Sequence, residues 1–266
     1  MPKTVKVLIG IPTEGHTKPE SFQSLRTMIF HHGVMQGESK ALNKDVQFEF
    51  YDRTAGRMFT PMAREVMAET ALQLGCDYLF MVDDDMVVPF DLFERLYRHD
   101  VDVCAALAFT RNPPYLAVLY QQKEGWDDRT HRKYIYTDWI KNYPKNKLVE
   151  CDAVGFGAVL IKTSVLAKMR TPYFMCSAGN GEDIWFCHRA KKEAGARVFM
   201  DTATEIGHLG NPILVDSALS EKHCDPKVQE DMFGSYKKFN VYDVTHFPKA
   251  EDAVMNGNKE PETLAL

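Results

Sequence analysis

Apolar runs and amphipathic segments alternate along the first part of the chain. Residues 5–11 and 46–51 show the patterns typical of strands, whereas residues 21–35 and 61–74 carry apolar side chains at helical spacing. Residues 78–82 form a short unbroken apolar run, which is typical of a strand buried on both faces of a parallel sheet. The order strand, helix, strand, helix, strand predicts an α/β fold with right-handed crossovers.

Shorter elements follow in the second part of the chain. The pattern predicts further helices and strands, with helices over residues 90–97, 164–169, 182–194 and 219–241 and strands over residues 101–108, 115–120, 149–153, 157–162 and 197–200. Loops are predicted over residues 52–60, 171–181 and 201–210, and no long period is found over residues 121–147. Because neither a repeat nor a linker is evident, we predict one domain over residues 1–248 and a polar, disordered tail over residues 249–266.

The composition is typical of a globular protein with a sizeable core. Of 266 residues, 45% are hydrophobic and 26% are charged. The formal net charge of -5 gives no reason to expect nucleic-acid binding, and no apolar segment approaches the length of a membrane span. The cysteines form no CxxC pair, which indicates reduced, mostly inaccessible thiols in a cytoplasmic protein; they are Cys76, Cys104, Cys151, Cys176, Cys187 and Cys224.

Three consecutive carboxylates, Asp83, Asp84 and Asp85, follow the apolar run at residues 78–82. In open α/β sheets, ligands bind outside the carboxyl ends of the strands. Three adjacent like charges repel one another, and a divalent metal held on a phosphate-bearing substrate would relieve that repulsion. The alternative interpretation is an acidic loop that caps the helix predicted over residues 90–97.

Several short motifs occur in a specific order between about residue 5 and about residue 210. They are Ile11-Pro12-Thr13, Ala63-Arg64-Glu65, Asp83-Asp84-Asp85, Gly155-Phe156-Gly157, Gly181-Glu182-Asp183 and His208. Together they resemble the GT-A nucleotide-sugar glycosyltransferases, in particular the family-2-like branch. Glu65 stands where that family often has Asn, and this departure weakens any role assigned by that motif.

The resemblance implies a GT-A type α/β fold. In such a fold, a mostly parallel central sheet is flanked by helices, and a Rossmann-like nucleotide-binding half is followed by an acceptor half. The implied activity is that of a metal-dependent hexosyltransferase that moves a sugar from a UDP- or GDP-sugar to an acceptor hydroxyl. The nucleotide base, the sugar and the acceptor remain open.

The resemblance also implies roles for individual residues. The metal ligands would be Asp83, Asp85 and His208, with Asp85 as the main carboxylate. Asp83 would bind the metal indirectly or the ribose of the nucleotide, and the alternative for His208 is an ordinary loop histidine. A mixed set of Asp, His and phosphate suits Mn²⁺ better than Mg²⁺, although both fit. The donor-binding residues would be Pro12, Thr13, Glu14, Arg64, Asp83, Asp84 and Arg111.

The catalytic pair implied by the resemblance is Glu182 and Asp183, with Asp183 as the base of an inverting transfer. Its predicted position at the start of a helix is expected to lower the pKa of the carboxyl and weaken the base. Simple charge placement in the first turn of that helix is the structural alternative for both residues. Retention remains a second mechanism, because a retaining enzyme of this fold can lack an obvious second nucleophile.

The sequence allows two interpretations for some residues. Arg64 either reaches the nucleotide or pins the acidic loop, and Arg111 either holds diphosphate or pairs with an acidic neighbour. Trp185 is predicted to lie in the core, on the inner face of its helix. A group of aromatic residues forms either a sugar-stacking lid or part of the core: Trp126, Tyr134, Tyr136, Trp139 and Tyr143.

Two rival functions remain. A nucleotidyltransferase also uses carboxylate-held metal on a mostly parallel sheet, but it usually has a glycine-rich basic loop after the first strand, which residues 11–15 are not. A non-catalytic nucleotide-sugar-binding protein is the other rival, and the intact carboxylates and histidine argue against it.

Overall fold

A computed structural model describes residues 3–13, 15, 17–37, 46–128, 131–177, 180–210 and 214–218. The helices are α1 Pro19–Gly37, α2 Thr60–Gln73, α3 Leu92–Tyr97, α4 Thr163–Leu166 and α5 Glu182–Ala194. The strands are β1 Lys3–Thr13, β2 Val46–Gly56, β3 Tyr78–Val82, β4 Met86–Val87, β5 Val103–Leu107, β6 Leu119–Asp127, β7 Arg132–Trp139, β8 Leu148–Cys151, β9 Ala153–Val154, β10 Ala158–Lys162, β11 Val198–Glu205, β12 Gly207–Leu209 and β13 Leu214–Val215. The helix predicted over residues 219–241 and the tail from residue 249 lie outside the described residues.

The central sheet has seven strands in the order β2-β1-β3-β10-β5-β11-β8. Strands β1, β2, β3, β5 and β11 run in one direction, whereas β8 and β10 run in the other. Helices pack on both faces of this sheet. The predicted α/β class, with a mostly parallel sheet flanked by helices, is therefore confirmed.

Strand β3, in the interior of the sheet, is buried on both faces, as its unbroken apolar sequence predicts. Leu79 and Met81 pack in the core on the side of α2, α4 and α5. Phe80 and Val82 pack on the opposite side, in the core that includes residues of α1 and α3. The end of β3 is therefore held firmly from both sides.

Two strands extend into segments that the sequence pattern predicts as loops. Residues 52–56 continue β2 instead of forming a loop, because their backbone pairs with β1 as far as Thr13 and Gly56. Since β2 is the edge strand, its polar side chains remain in contact with water.

The predicted loop over residues 201–210 is also wrong, because β11 continues to Glu205 and β12 follows directly. The end of β11 is rich in polar residues, which hides the strand pattern, but Asp201, Thr202 and Thr204 are buried and hydrogen-bonded. Asp201 Oδ2 accepts a hydrogen bond from Thr204 Oγ1 at 2.7 Å and lies 3.0 Å from His99 Nε2.

The segment without a long period contains a β-hairpin. Strands β6 and β7 pair antiparallel from Tyr120 and Trp139 to Asp127 and Arg132, and β9 pairs with the other edge of β6. Alternation of aromatic and polar residues on a hairpin with two partly exposed faces gives no continuous apolar run.

The smallest sheet joins two distant parts of the chain next to the end of β3. Strand β12 pairs antiparallel with both β4 and β13. His208 is opposite Met86 in this pairing, and the Leu209 amide donates to the Asp85 carbonyl at 2.9 Å. Within the described part of the chain, no helix is both long and apolar enough to cross a membrane.

The burial of the cysteines follows the sequence prediction with one exception. Cys76, Cys104, Cys151 and Cys187 are free and buried, whereas Cys176 is free and exposed. Cys224 lies outside the described residues.

Candidate active site

The acidic triplet forms a turn between β3 and β4. The Asp83 amide donates to the Gly157 carbonyl at 2.9 Å, and the Met86 amide donates to the Asp83 carbonyl at 3.2 Å. Gly157 also packs against the residue that follows the triplet, because an added Cβ there would lie 3.1 Å from Met86 Sδ. A glycine at this position therefore allows the close approach to the turn.

Asp85 and His208 meet because β4 pairs with β12. His208 Nδ1 is 2.7 Å from the Phe109 carbonyl, which selects the tautomer with a proton on Nδ1, and Nε2 is 3.2 Å from Asp85 Oδ2. Arg111 pairs with the same Asp85 oxygen, and its Nε donates to His208 Nε2 at 3.3 Å. Burial raises the pKa of Asp85, but the neighbouring His208 and Arg111 outweigh it and lower the pKa overall.

Asp83 points to a different partner, the buried Arg64 on α2. Arg64 Nη2 donates to Asp83 Oδ1 at 2.8 Å and to Oδ2 at 3.1 Å. Burial raises the pKa of Asp83 to about 7 against the opposing effect of Arg64, and the nearby charges of Asp85, Glu182 and Asp183 raise it further. Arg64 therefore contacts the acidic turn, as one of its two sequence interpretations predicts.

The first turn of α5 brings Glu182 and Asp183 to the same place. Glu182 Oε1 lies 3.1 Å from Arg64 Nε, at ion-pair distance but outside hydrogen-bond geometry. Asp183 Oδ1 accepts a hydrogen bond from the Ile184 amide at 2.7 Å.

The pKa of Asp183 differs from the sequence expectation. Burial raises it to about 6, and the charge of Glu182 adds to this rise, while the Ile184 amide and Arg64 oppose it. The predicted lowering by the helix N-terminus is therefore outweighed by burial among other carboxylates.

Asp84 and Thr13 connect the ends of β3 and β1. The Thr13 hydroxyl donates to Asp84 Oδ2 and accepts a hydrogen bond from the Gly15 amide at 3.0 Å. Pro12 is buried in β1, immediately before Thr13. Glu14, the remaining predicted donor residue here, lies outside the described residues.

The predicted metal ligands are not arranged as one cluster of three. Asp85 and His208 lie together, but both oxygens of Asp83 bind Arg64. Across the described ranges, no group of three or more His, Cys, Asp or Glu residues is arranged to hold a metal ion. The protein therefore offers a carboxylate and imidazole pair at this position.

The predicted aromatic lid is divided between the two faces of the β6–β7 hairpin. Side chains alternate along a strand, so Tyr134 and Tyr136 share one face while Trp139 lies on the other. Tyr134 and Tyr136 have ring centroids 5.7 Å apart, whereas Trp139 packs against Tyr120 at 5.5 Å. The other two aromatic residues lie in different surroundings. Trp126 is exposed, and Tyr143 packs against the core on the side of α2, α4 and α5.

Trp185 is only half-buried, which corrects its predicted place on the inner face of α5. That position belongs to Phe186, which is fully buried and stacks on Phe174 at 4.9 Å.

Two residues that support the site were not predicted from the sequence. Lys18 Nζ donates to the Leu209 and Gly210 carbonyls, both at 2.7 Å, and so secures the end of β12. Glu65 Oε2 accepts hydrogen bonds from the Tyr173 and Phe174 amides at 2.7 and 3.0 Å, where a shorter Asn was the residue expected by family resemblance. No local pattern marks such contacts with distant backbone.

No protein-family model matches this chain, and no curated protein matches it in sequence. Among solved structures, A197 from STIV is 19% identical and the match covers 80% of this chain and 94% of that chain, with a TM-score of 0.47. GalNAc-T7 with UDP, GalNAc and Mn²⁺ is 12% identical, and the match covers 77% of this chain and 44% of that chain, with a TM-score of 0.43. The catalytic domain of Drosophila β1,4-galactosyltransferase 7 in complex with xylobiose is 16% identical, covering 78% and 71% with a TM-score of 0.40. These likenesses are too distant to assign a function to this chain.

Proposed function

We propose that this protein is a metal-dependent glycosyltransferase of the GT-A, family-2-like type, which moves a hexose from a nucleotide-diphosphate donor to a hydroxyl acceptor. The observation that carries the proposal is the meeting of Asp85 and His208, 3.2 Å apart at the end of β3, although 123 positions separate them in sequence. Ligands of open α/β sheets bind at this edge. Asp183 opens α5 beside the same acidic turn.

The residues present fit a divalent cation, Mn²⁺ or Mg²⁺. A histidine that binds a metal typically donates its other ring N–H to a carbonyl, as His208 Nδ1 does to Phe109, and Nε2 then faces Asp85. Such cations commonly use one or two protein ligands and complete their coordination with substrate phosphates and water. When bound, the cation would stabilise negative charge on the departing diphosphate.

Several residues around the pair can serve the donor. Arg111 pairs with Asp85 and is about half exposed, so its guanidinium can turn to the diphosphate once another cation neutralises the carboxylate. Asp84 and Thr13 present a carboxylate and a hydroxyl at the ends of β3 and β1, where a ribose or base can bind. Asp83 acts indirectly, because Arg64 holds both of its oxygens.

Asp183 serves as the general base for the acceptor hydroxyl, which leads to inversion at the transferred carbon. With a pKa of about 6, the carboxylate is ionised at neutral pH and is a stronger base than an ordinary aspartate. We prefer this function to the two rivals, because neither a nucleotidyltransferase nor a binding protein requires a base at the start of α5.

The test is the release of nucleoside diphosphate from UDP- and GDP-sugars with Mn²⁺, together with calorimetric donor binding for the parent and Asp85→Asn. An amide is a poor ligand for a hard cation, so we expect Asp85→Asn to weaken Mn²⁺-dependent binding by about tenfold or more. Asp138→Asn is the control, because Asp138 pairs with Lys123 on the hairpin.

The chelator EDTA should abolish tight donor binding by the parent. Equal donor affinity with and without metal, or in the parent and Asp85→Asn, would contradict the metal assignment. Release of pyrophosphate from a nucleoside triphosphate would instead establish the nucleotidyltransferase.

A further inference from the structure

Arg64 is the most buried charged side chain of the site, with 3% of its side chain exposed. Nη2 binds both oxygens of Asp83, Nη1 donates to the Phe156 carbonyl at 3.3 Å, and Nε lies 3.1 Å from Glu182 Oε1. The guanidinium carbon is 5.4 Å from the centre of the Phe156 ring. One planar cation therefore contacts the acidic turn, the Gly-Phe-Gly segment and the start of α5.

These contacts leave Arg64 little capacity for a donor phosphate. Burial lowers the pKa of a guanidinium, but the charges of Asp83 and Glu182 outweigh it and raise the pKa of Arg64. The planar fork of an arginine can hold several partners in fixed geometry, which the ammonium of a lysine cannot. Its protein partners belong to segments that are far apart in sequence.

Glu182 is committed to the same cation. Its side chain is 15% exposed, and Oε1 faces Arg64 Nε. A general base must be within hydrogen-bond reach of the proton that it accepts. A carboxylate held at ion-pair distance by a buried guanidinium is not free to turn to an acceptor hydroxyl.

We propose that Arg64 and Glu182 are positioning residues, which lock the start of α5 to the acidic turn and so set the distance between Asp183 and the donor site. The catalytic part of this inference rests on the proposed function, whereas the mechanical link does not. Arg64 is then not a donor ligand, and Glu182 is not a base. Misplacing a catalytic group by about 1 Å can cost about a hundredfold in rate, so such a lock matters for transfer.

The experiment compares Glu182→Gln with a matched control on the same helix, Glu193→Gln. Glu193 also pairs with an arginine, at 2.6 Å from Arg189 Nε, but its partners are Arg189 and the Arg170 amide, which are not part of the acidic turn. Hydrogen exchange is measured by mass spectrometry on peptides covering residues 78–86 and 182–187. Donor affinity and transfer rate are measured on the same samples.

We expect Glu182→Gln to speed exchange in both peptides by about tenfold, although residues 78–86 lie far away in sequence. The transfer rate should fall by about tenfold while donor affinity stays within about twofold, because Asp84, Asp85 and Arg111 are untouched. Glu193→Gln should change none of these quantities. Glu182→Asp keeps the charge but shortens the side chain. It should behave like Glu182→Gln, because the contact with Arg64 depends on the length of the side chain as well as on its charge.

Unchanged exchange over residues 78–86 in both Glu182 variants would overturn the link. Loss of transfer in Glu182→Gln with unchanged exchange, and rescue by Glu182→Asp, would make Glu182 the base and overturn the positioning role. If the parent transfers no sugar from any donor, the proposed function fails, yet the exchange comparison still decides whether the link exists.

Discussion

Asp183 owes its chemical character to its surroundings. A helix N-terminus favours the charged form of a carboxyl, but here burial and the charge of Glu182 disfavour it more strongly. The result is a carboxyl with a pKa of about 6, which is ionised at pH 7 and still basic enough to accept a proton. This balance between burial and helix position decides how well the residue suits the proposed mechanism.

The first residue-scale prediction concerns Asp183→Asn. The transfer rate should fall by about a hundredfold or more, the usual scale for loss of a general base, while donor affinity remains nearly unchanged. The side chains are almost the same size, so the melting temperature should not fall. Steady-state transfer and calorimetric donor binding check this, and a transfer rate close to that of the parent would leave Asp183 as a helix-start carboxylate only.

The second residue-scale prediction concerns stability and pH. The folded-state pKa of Asp183, about 6, lies above its ordinary value of 3.8, so the folded state holds the proton more tightly than the unfolded state. Its contribution to the free energy of unfolding therefore falls as pH rises from about 4 to about 7. Relative to the parent, Asp183→Asn should gain on the order of 1–2 kcal/mol across that window.

Urea unfolding at several pH values measures this difference. Asp152→Asn is the contrasting variant, because the pKa of Asp152 is lowered; burial raises it, but the hydrogen bond from Lys191 outweighs that effect. Its stability difference should stay constant between about pH 5 and about pH 7. A constant difference for Asp183→Asn as well would contradict the raised pKa.

At the scale of the elements, β12 is the strand on which the metal proposal depends. It contributes His208, and it is held by β4 on one side, by β13 on the other and by Lys18 at its end. A strand of three residues has few ladder hydrogen bonds of its own. The ammonium of Lys18 therefore matters more here than it would beside a long strand.

Lys18→Met tests this support. Methionine keeps much of the apolar stem but removes the donor to the Leu209 and Gly210 carbonyls, so we expect the free energy of unfolding to fall by about 1–2 kcal/mol. Mn²⁺-dependent donor affinity should fall by about threefold or more because His208 becomes less fixed. Lys133→Met is the control, since Lys133 is 73% exposed and should change the free energy by less than about 0.5 kcal/mol. Equal stability of the two variants would show that Lys18 is dispensable.

At the scale of the whole molecule, local patterns predict the elements better than they predict pairing. Pro61 and Gly75 correctly mark the two ends of α2, and Gly75 has a φ of 62°, which glycine tolerates. The apolar run of β10 is evident, but its antiparallel place between β3 and β5 is not, because side-chain alternation does not specify a partner.

The candidate site follows the same rule. The position of the acidic triplet after β3 is local and was predictable. The pairing of Asp83 with Arg64, and of Asp85 with Arg111 and His208, depends on contacts between elements far apart in sequence. The residue types therefore indicated chemistry, while only the fold determines which charge neutralises which.

The distribution of thiols gives a prediction for the whole molecule. Burial raises the pKa of Cys76 to about 11 and that of Cys151 to about 12, and it raises the pKa of Cys104 and Cys187 as well. Thiolate is the reactive form, so these cysteines should resist iodoacetamide in the native protein. Cys176 is exposed and should be labelled at least about tenfold faster. Peptide mapping by mass spectrometry checks the order, and rapid labelling of the buried cysteines in native protein would contradict the packing.

The pairing of β4 with β12 also determines when the site can form during synthesis. After Asp85 has been synthesised, the ribosome must add 123 further residues to reach His208. Until then the carboxylates have no His208 imidazole beside them. Strand β10, which separates β3 from β5 in the sheet, also arrives late. A chain terminated between Asp85 and His208 therefore carries the acidic triplet but cannot form the pair. The proposed activity would then report that translation had passed β11, the last strand of the seven-stranded sheet in sequence.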